Sequence, residues 1–225
     1  MTFRMPDLSF VQHGVHRRLL AEEVARALEA GALGLMLCGS VARGTARPTS
    51  DLDLRLYWPE ARPFEAEEHG GILIERRGHT LTRGREQVEA GRAELYAWVE
   101  GRLLHDPSGE LARLQREAEE RLAAYRTPPE ERHALRYWLS TVLYKLEGAS
   151  QEQMAFLVHT NTWKLAEALC AVNDCPIPPA TLLWETLPGL SWQPEGDWLC
   201  RLLLGEAEVR QATFGEVAAW LLCRL

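Results

Sequence analysis

Between residues 9 and 30, the apolar positions Phe10, Val11, Val15, Leu19, Leu20, Val24, Ala27 and Leu28 recur at helical spacing, and Gly31 ends that run. Residues 33–38 are continuously apolar up to Gly39-Ser40, which predicts a short buried strand. From 51 to 58 the period changes to two. Leu52, Leu54, Leu56 and Trp58 alternate with Asp51, Asp53, Arg55 and Tyr57, the pattern of a strand with one polar face. Residues 72–77 read as another strand, 85–100 as a helix and 102–105 as a short strand.

Asp106-Pro107-Ser108-Gly109 interrupts the pattern and suggests a boundary between domains 1–106 and 107–225. Beyond it only helices are expected. The first, 110–125, is charged and amphipathic. Thr127 followed by Glu130 has the form of a capping box, opening a helix with Leu135, Trp138, Leu139, Val142, Leu143 and Leu146 on one stripe. Ser150 and Gln153 form a second box, for a helix to about 172, and Pro176, Pro178 and Pro179 mark a loop. Two further helices are expected near 180–187 and 206–224. The predicted fold class is a small α/β (α+β) domain with a mixed sheet, followed by an all-α helical bundle domain.

The chemistry concentrates where the first two strands meet. A turn at Gly39-Ser40 exposes backbone N–H groups and a hydroxyl, which suit the outer phosphates of a triphosphate. Asp51 and Asp53 then stand two apart, so both carboxylates share one face of a strand. Paired carboxylates repel each other, and a bound Mg²⁺ resolves that repulsion with hard oxygen donors. Each half alone is a weak signal; their order and spacing make it a strong one.

The stretch Gly39-Ser40-x-x-x-Gly44, five residues, then Ser50-Asp51-x-Asp53 resembles the motif of the nucleotidyltransferase superfamily of DNA polymerase β. A small α/β domain followed by helices is similar to the aminoglycoside and minimal nucleotidyltransferases within it. The resemblance implies transfer of a nucleoside monophosphate, AMP in the first instance, from an NTP to a hydroxyl, with Mg²⁺ as cofactor and pyrophosphate released. It implies that Asp51 and Asp53 ligate the metal, and that Gly39, Ser40, Arg43 and Ser50 lie against the nucleotide. Arg43 reads equally well as a structural salt bridge. The family's third carboxylate falls on Glu75, either a metal ligand or the general base; its alternative is a strand-end glutamate paired with Arg76 or Arg77. A lysine from the helical domain reaches the triphosphate in such proteins. Lysine occurs only at 145 and 164, against 23 arginines, and Lys145 is the preferred candidate.

Composition narrows the partners. The net charge of -7, with 11 basic and 16 acidic residues over 107–225, disfavours nucleic acid and anionic membranes and leaves a small hydroxylated acceptor as the first reading. A protein acceptor, as for antitoxin-like adenylyltransferases, and a non-catalytic nucleotide-binding module are the alternatives. Oligomeric state is not readable. Five cysteines without metal-ligand spacing read as core thiols in a reduced cytoplasm. His13 and His16, at i,i+3, have metal-binding spacing but no third ligand, and Asn161 reads as a satisfied amide on an apolar stripe.

Overall fold

The computed structural model describes residues 5–225. Two compact units divide the chain between Ala123 and Ala124.

In the first unit, α1 (Gly14–Glu29) leads into β1 (Gly34–Cys38) and the single-turn helix α2 (Gly39–Arg43). Strands β2 (Leu52–Tyr57), β3 (Glu65–His69) and β4 (Ile72–His79) follow, then helices α3 (Leu81–Ala90) and α4 (Ala93–Glu100), β5 (Arg102–His105) and α5 (Glu110–Ala124). The sheet is mixed, in the order β3-β4-β2-β1-β5, with β2 and β4 parallel and the other neighbours antiparallel. Its alternation sorts the chain onto two faces. Leu52, Leu54, Leu56, Ile72 and Ile74 pack with Leu19, Leu20 and Val24 of α1. The opposite face buries Met36, Cys38 and Tyr57 against Val88, Leu95, Trp98, Leu111, Leu114 and Ala118 of the other helices.

α1 is tied to the sheet by a buried ion pair. Arg76 meets Glu23 through two bonds of 2.6 and 2.8 Å, with both side chains at most 10% exposed. Removing Glu23 leaves Arg76 only the exposed Glu67 carboxylate at 3.1 Å, so Glu23→Ala is expected to lower unfolding free energy by about 1–3 kcal/mol in urea titrations.

Several boundaries differ from the sequence reading. The predicted domain boundary at 106/107 falls before α5. That helix buries Leu111, Leu114 and Ala118 in the first unit's second core, which carries the unit on to Ala123. The single helix expected over 85–100 is two, because Gly91 and Arg92 both take positive φ (70° and 63°) and break the turn. Strand β3 was not expected. Its residues Glu65–His69 are all exposed and mostly acidic, as suits a sheet edge, and the Gly70-Gly71 turn at positive φ folds it onto β4.

The second unit consists of α6 (Pro129–Leu146), α7 (Gln151–Val172), α8 (Ala180–Thr186), α9 (Trp198–Leu204) and α10 (Ala207–Leu222), with α9 an addition to the expected helices. Leu135, Leu139, Leu165, Leu169, Phe214 and Val217 are among its core. Ser150 and Gln153 form the reciprocal capping box that opens α7. The box expected at Thr127 does not form. Pro128 is the N-cap residue of α6, and Thr127 instead donates its N–H to the Asp174 carboxylate at 3.0 Å. Asn161 is buried, accepting from Trp138 Nε1 at 2.7 Å and donating to the Leu157 carbonyl at 2.8 Å.

Candidate active site

The register of the three central strands lays the polar side chains out in rows on one face. Asp53 lies between Cys38 of β1 and Glu75 of β4; Arg55 lies between Met36 and Arg77; Tyr57 lies between Gly34 and His79. A row of carboxylates is therefore backed by a row of guanidinium groups, and that row by a phenol and an imidazole. Asp51 immediately precedes β2 and is half-buried.

The electrostatics follow from this layout. Burial, and then repulsion from Asp51 and Glu75, raise the Asp53 carboxyl above its ordinary value; Arg77 and Arg55 oppose the rise. Asp51, Asp53 and Glu75 thus share one field. Glu75 accepts from Arg77 at 2.8 Å, so the strand-end pairing and the site placement coexist. Burial pushes the neighbouring Cys38 thiol up to about 11, which keeps it protonated and unreactive beside the carboxylates.

Gly39 is where the turn and the carboxylates touch. Its φ is +73°, and a Cβ at this position would overlap Oδ2 of Asp53. Only glycine allows the turn to close against that carboxylate. The turn is the start of α2. As its first residues, Gly39 and Ser40 have N–H groups with no intrahelical acceptor, and Cys38 supplies no side-chain cap. Ser50 is engaged locally: its hydroxyl accepts from the Arg47 N–H at 2.9 Å.

Arg43 pairs with Glu100 at 3.3 Å, and both side chains are largely covered. The salt bridge is with α4, not with Asp51 or Asp53. At the other end of the same helix Glu94 lies 3.0 Å from Arg55, the guanidinium directly behind Asp53. α4 is thereby fastened to α2 at one end and to the carboxylate strand at the other. Arg102 adds a bond from β5 to the Ala42 carbonyl at 3.2 Å. Breaking one fastening with Glu100→Gln is expected to cost about 1–3 kcal/mol of stability in urea unfolding, because Arg43 keeps its charge without a full partner.

The row behind the carboxylates escaped the sequence reading. Arg55 and Tyr57 read as part of a polar strand face and the strand expected over 72–77 stops short of His79, yet Tyr57 is fully buried and Arg55 nearly so. Burial, followed by the Arg55 charge, lowers the His79 pKa. Heavy polar traffic on one strand face, opposite two amphipathic helices, was the available signal.

The two lysines differ in engagement. Lys164 pairs with Glu167 and sits 5.6 Å from the centre of the Trp138 ring. Lys145 is exposed, lines a depression of about 370 Å³ with Gln153 and Phe156, and has no ion-pair partner among the described residues. Among the described residues no group of three or more His, Cys, Asp or Glu side chains is placed to hold a metal ion; the paired carboxylates of Asp51 and Asp53 are hard oxygen donors of the kind Mg²⁺ takes. No helix of the described residues is long and apolar enough to cross a membrane.

The site thus consists of a parallel pair of strands carrying facing carboxylates, with a glycine turn closed against one of them. Residues 18–100 match the family model for the nucleotidyltransferase domain, and this part of the chain is a nucleotidyltransferase domain of the DNA polymerase β superfamily. Among solved structures, a nucleotidyltransferase-like protein from Exiguobacterium sibiricum 255-15 is similar. It is 14% identical with a TM-score of 0.42, and the match covers 93% of this chain and 75% of that one. No curated protein matches the sequence.

Proposed function

We propose that the protein is a Mg²⁺-dependent nucleotidyltransferase that moves AMP from ATP to a hydroxyl of a small-molecule acceptor. The observation that carries this reading is the pairing of Asp53 with Glu75 in register on adjacent strands, with the Gly39 turn closed against Asp53. In support, anionic donors stand beside the first N–H groups of α2, which have no intrahelical acceptor.

Asp51 and Asp53 would hold the metal, which when bound would supply charge neutralisation at the phosphates. Gly39 and Ser40 bind the outer phosphates through their N–H groups and the hydroxyl. Ser50 shapes the turn before Asp51, and Arg43 supports the phosphate turn from behind. Lys145, the unpaired lysine, is assigned to the triphosphate. Glu75 takes the proton as the acceptor oxygen bonds to the α-phosphorus, and the bond from that phosphorus to the β-phosphate bridging oxygen breaks. Pyrophosphate leaves with that electron pair. Catalysis rests on positioning and charge stabilisation. Cysteines that form no disulfide among the described residues fit a reducing cytoplasm.

The acidic composition of 107–225 supports a small acceptor, with cationic hydroxylated compounds such as aminoglycosides first among them. The test is incubation of the full chain with Mg²⁺, ATP and pooled aminoglycosides and cell metabolites, followed by mass spectrometry. A small molecule heavier by one AMP unit supports the proposal. AMP found only on protein moves the assignment to a protein acceptor, and bound ATP without any adduct moves it to a non-catalytic module.

A further inference from the structure

Three side chains at the start of α1 reach across to the loop that joins the phosphate turn to Asp51. Gln12 Nε2 donates to the Gly44 carbonyl at 2.7 Å, His13 Nε2 lies 2.9 Å from the Ala46 carbonyl, and His16 Nε2 lies 2.7 Å from the Ser50 carbonyl. Carbonyl oxygens only accept, so in each ring Nε2 carries the proton. The spacing of His13 and His16 that would suit a metal serves two backbone carbonyls instead.

His16 is the informative member. It is fully buried, and its Nδ1 has no hydrogen-bond partner among the described residues. Burying an imidazole with one nitrogen unsatisfied is unfavourable, whereas a leucine would fill the position without that cost. Among the described residues, the single polar contact the ring makes is with the Ser50 carbonyl. That carbonyl belongs to the peptide plane that also contains the Asp51 N–H, so fixing its oxygen fixes the plane from which the Asp51 side chain departs. The loop is held from within as well, by the Ser50 N–H on the Arg47 carbonyl at 3.0 Å and the Thr45 N–H on the Ser40 carbonyl at 3.0 Å. Internal turns set its shape; the α1 side chains set where that shape sits relative to the sheet.

We propose that His16, assisted by His13 and Gln12, is a positioning residue that straps the Gly44–Ser50 loop to α1 and so holds Asp51 in register with Asp53 for Mg²⁺–nucleotide binding. The proposal rests on the assignment of Asp51 and Asp53 to the metal. It separates His16 from a residue that merely fills the core, because only a strap acts through the carboxylate.

The test is calorimetric titration of the full chain with ATP, once in Mg²⁺ and once in EDTA, for wild type, His16→Leu and His16→Gln. The glutamine amide can present an N–H where Nε2 stood. His16→Leu is expected to lose about tenfold of the Mg²⁺-dependent gain in affinity, as an outer partner of a metal ligand does, with affinity in EDTA unchanged. His16→Gln is expected to recover most of that gain. The Gln12→Leu/His13→Leu double variant, at an exposed and a half-buried position, reads the same loop if His16→Leu does not fold, with a smaller loss of the same component. Equal losses in Mg²⁺ and EDTA, no loss, or His16→Gln as impaired as His16→Leu overturns the strap. A wild type that binds ATP no better with Mg²⁺ than without it overturns the metal assignment, and the strap with it.

Discussion

Asp53→Asn is expected to abolish nucleotidyl transfer while leaving the fold intact and the metal-free protein more heat-stable. The loss of activity follows from the proposed role of Asp53 as a metal ligand. If it accounts for roughly 4 kcal/mol of transition-state charge stabilisation, the rate falls about a thousandfold. The gain in stability follows from the same field. Burial and the charges of Asp51 and Glu75 raise the Asp53 pKa above 3.8, so ionised Asp53 opposes folding when no cation is present. For a folded-state pKa raised in this way, the associated stability is complete below 3.8 and is lost as pH rises through the elevated value. A neutral amide removes that loss. Thermal melts in EDTA at neutral pH check it: Asp53→Asn should melt higher than wild type, and added Mg²⁺ should raise wild type more than the variant.

Gly39→Ala is the second large effect, and it acts through geometry alone. The position has φ +73°, where an alanine costs about 1–2 kcal/mol. The new Cβ also overlaps the Asp53 carboxylate, so the turn or the carboxylate must move. A displacement near an ångström in a site that works by positioning costs about a hundredfold in rate. The expected result is a modest fall in melting temperature with a much larger fall in single-turnover transfer. Equal proportional losses in both would show that the glycine serves only the backbone.

The sheet core and the strand positions of Asp53 and Glu75 were legible because each leaves a local pattern. The period of two over 51–58 put Leu52, Leu54 and Leu56 against α1, and the same period aligned Asp53 with Arg55 and Tyr57 on the other face. That this second face is also covered was not legible. Its polar residues look solvated until α3, α4 and α5 are laid over it, and Arg55 then needs Glu94 as a partner from 39 positions along the chain. Thr127 shows the same limit. Its neighbourhood satisfies the capping pattern, but Asp174 takes the N–H, and no local rule contains that residue. Strand β3 has no apolar periodicity to read, being an exposed edge held by a glycine turn. His13 and His16 left only a spacing, because their partners are backbone carbonyls, which carry no mark in the sequence.

The central claim is that the face bearing Asp51 and Asp53 transfers a nucleoside monophosphate. Parallel incubations with α-labelled and γ-labelled ATP, in Mg²⁺ and with pooled hydroxylated acceptors, test it most directly, with Asp53→Asn alongside wild type. The account predicts α-label on an acceptor and γ-label in pyrophosphate, with wild type alone. Label moving from the γ-position to the acceptor, or α-transfer that persists undiminished in Asp53→Asn, would contradict it.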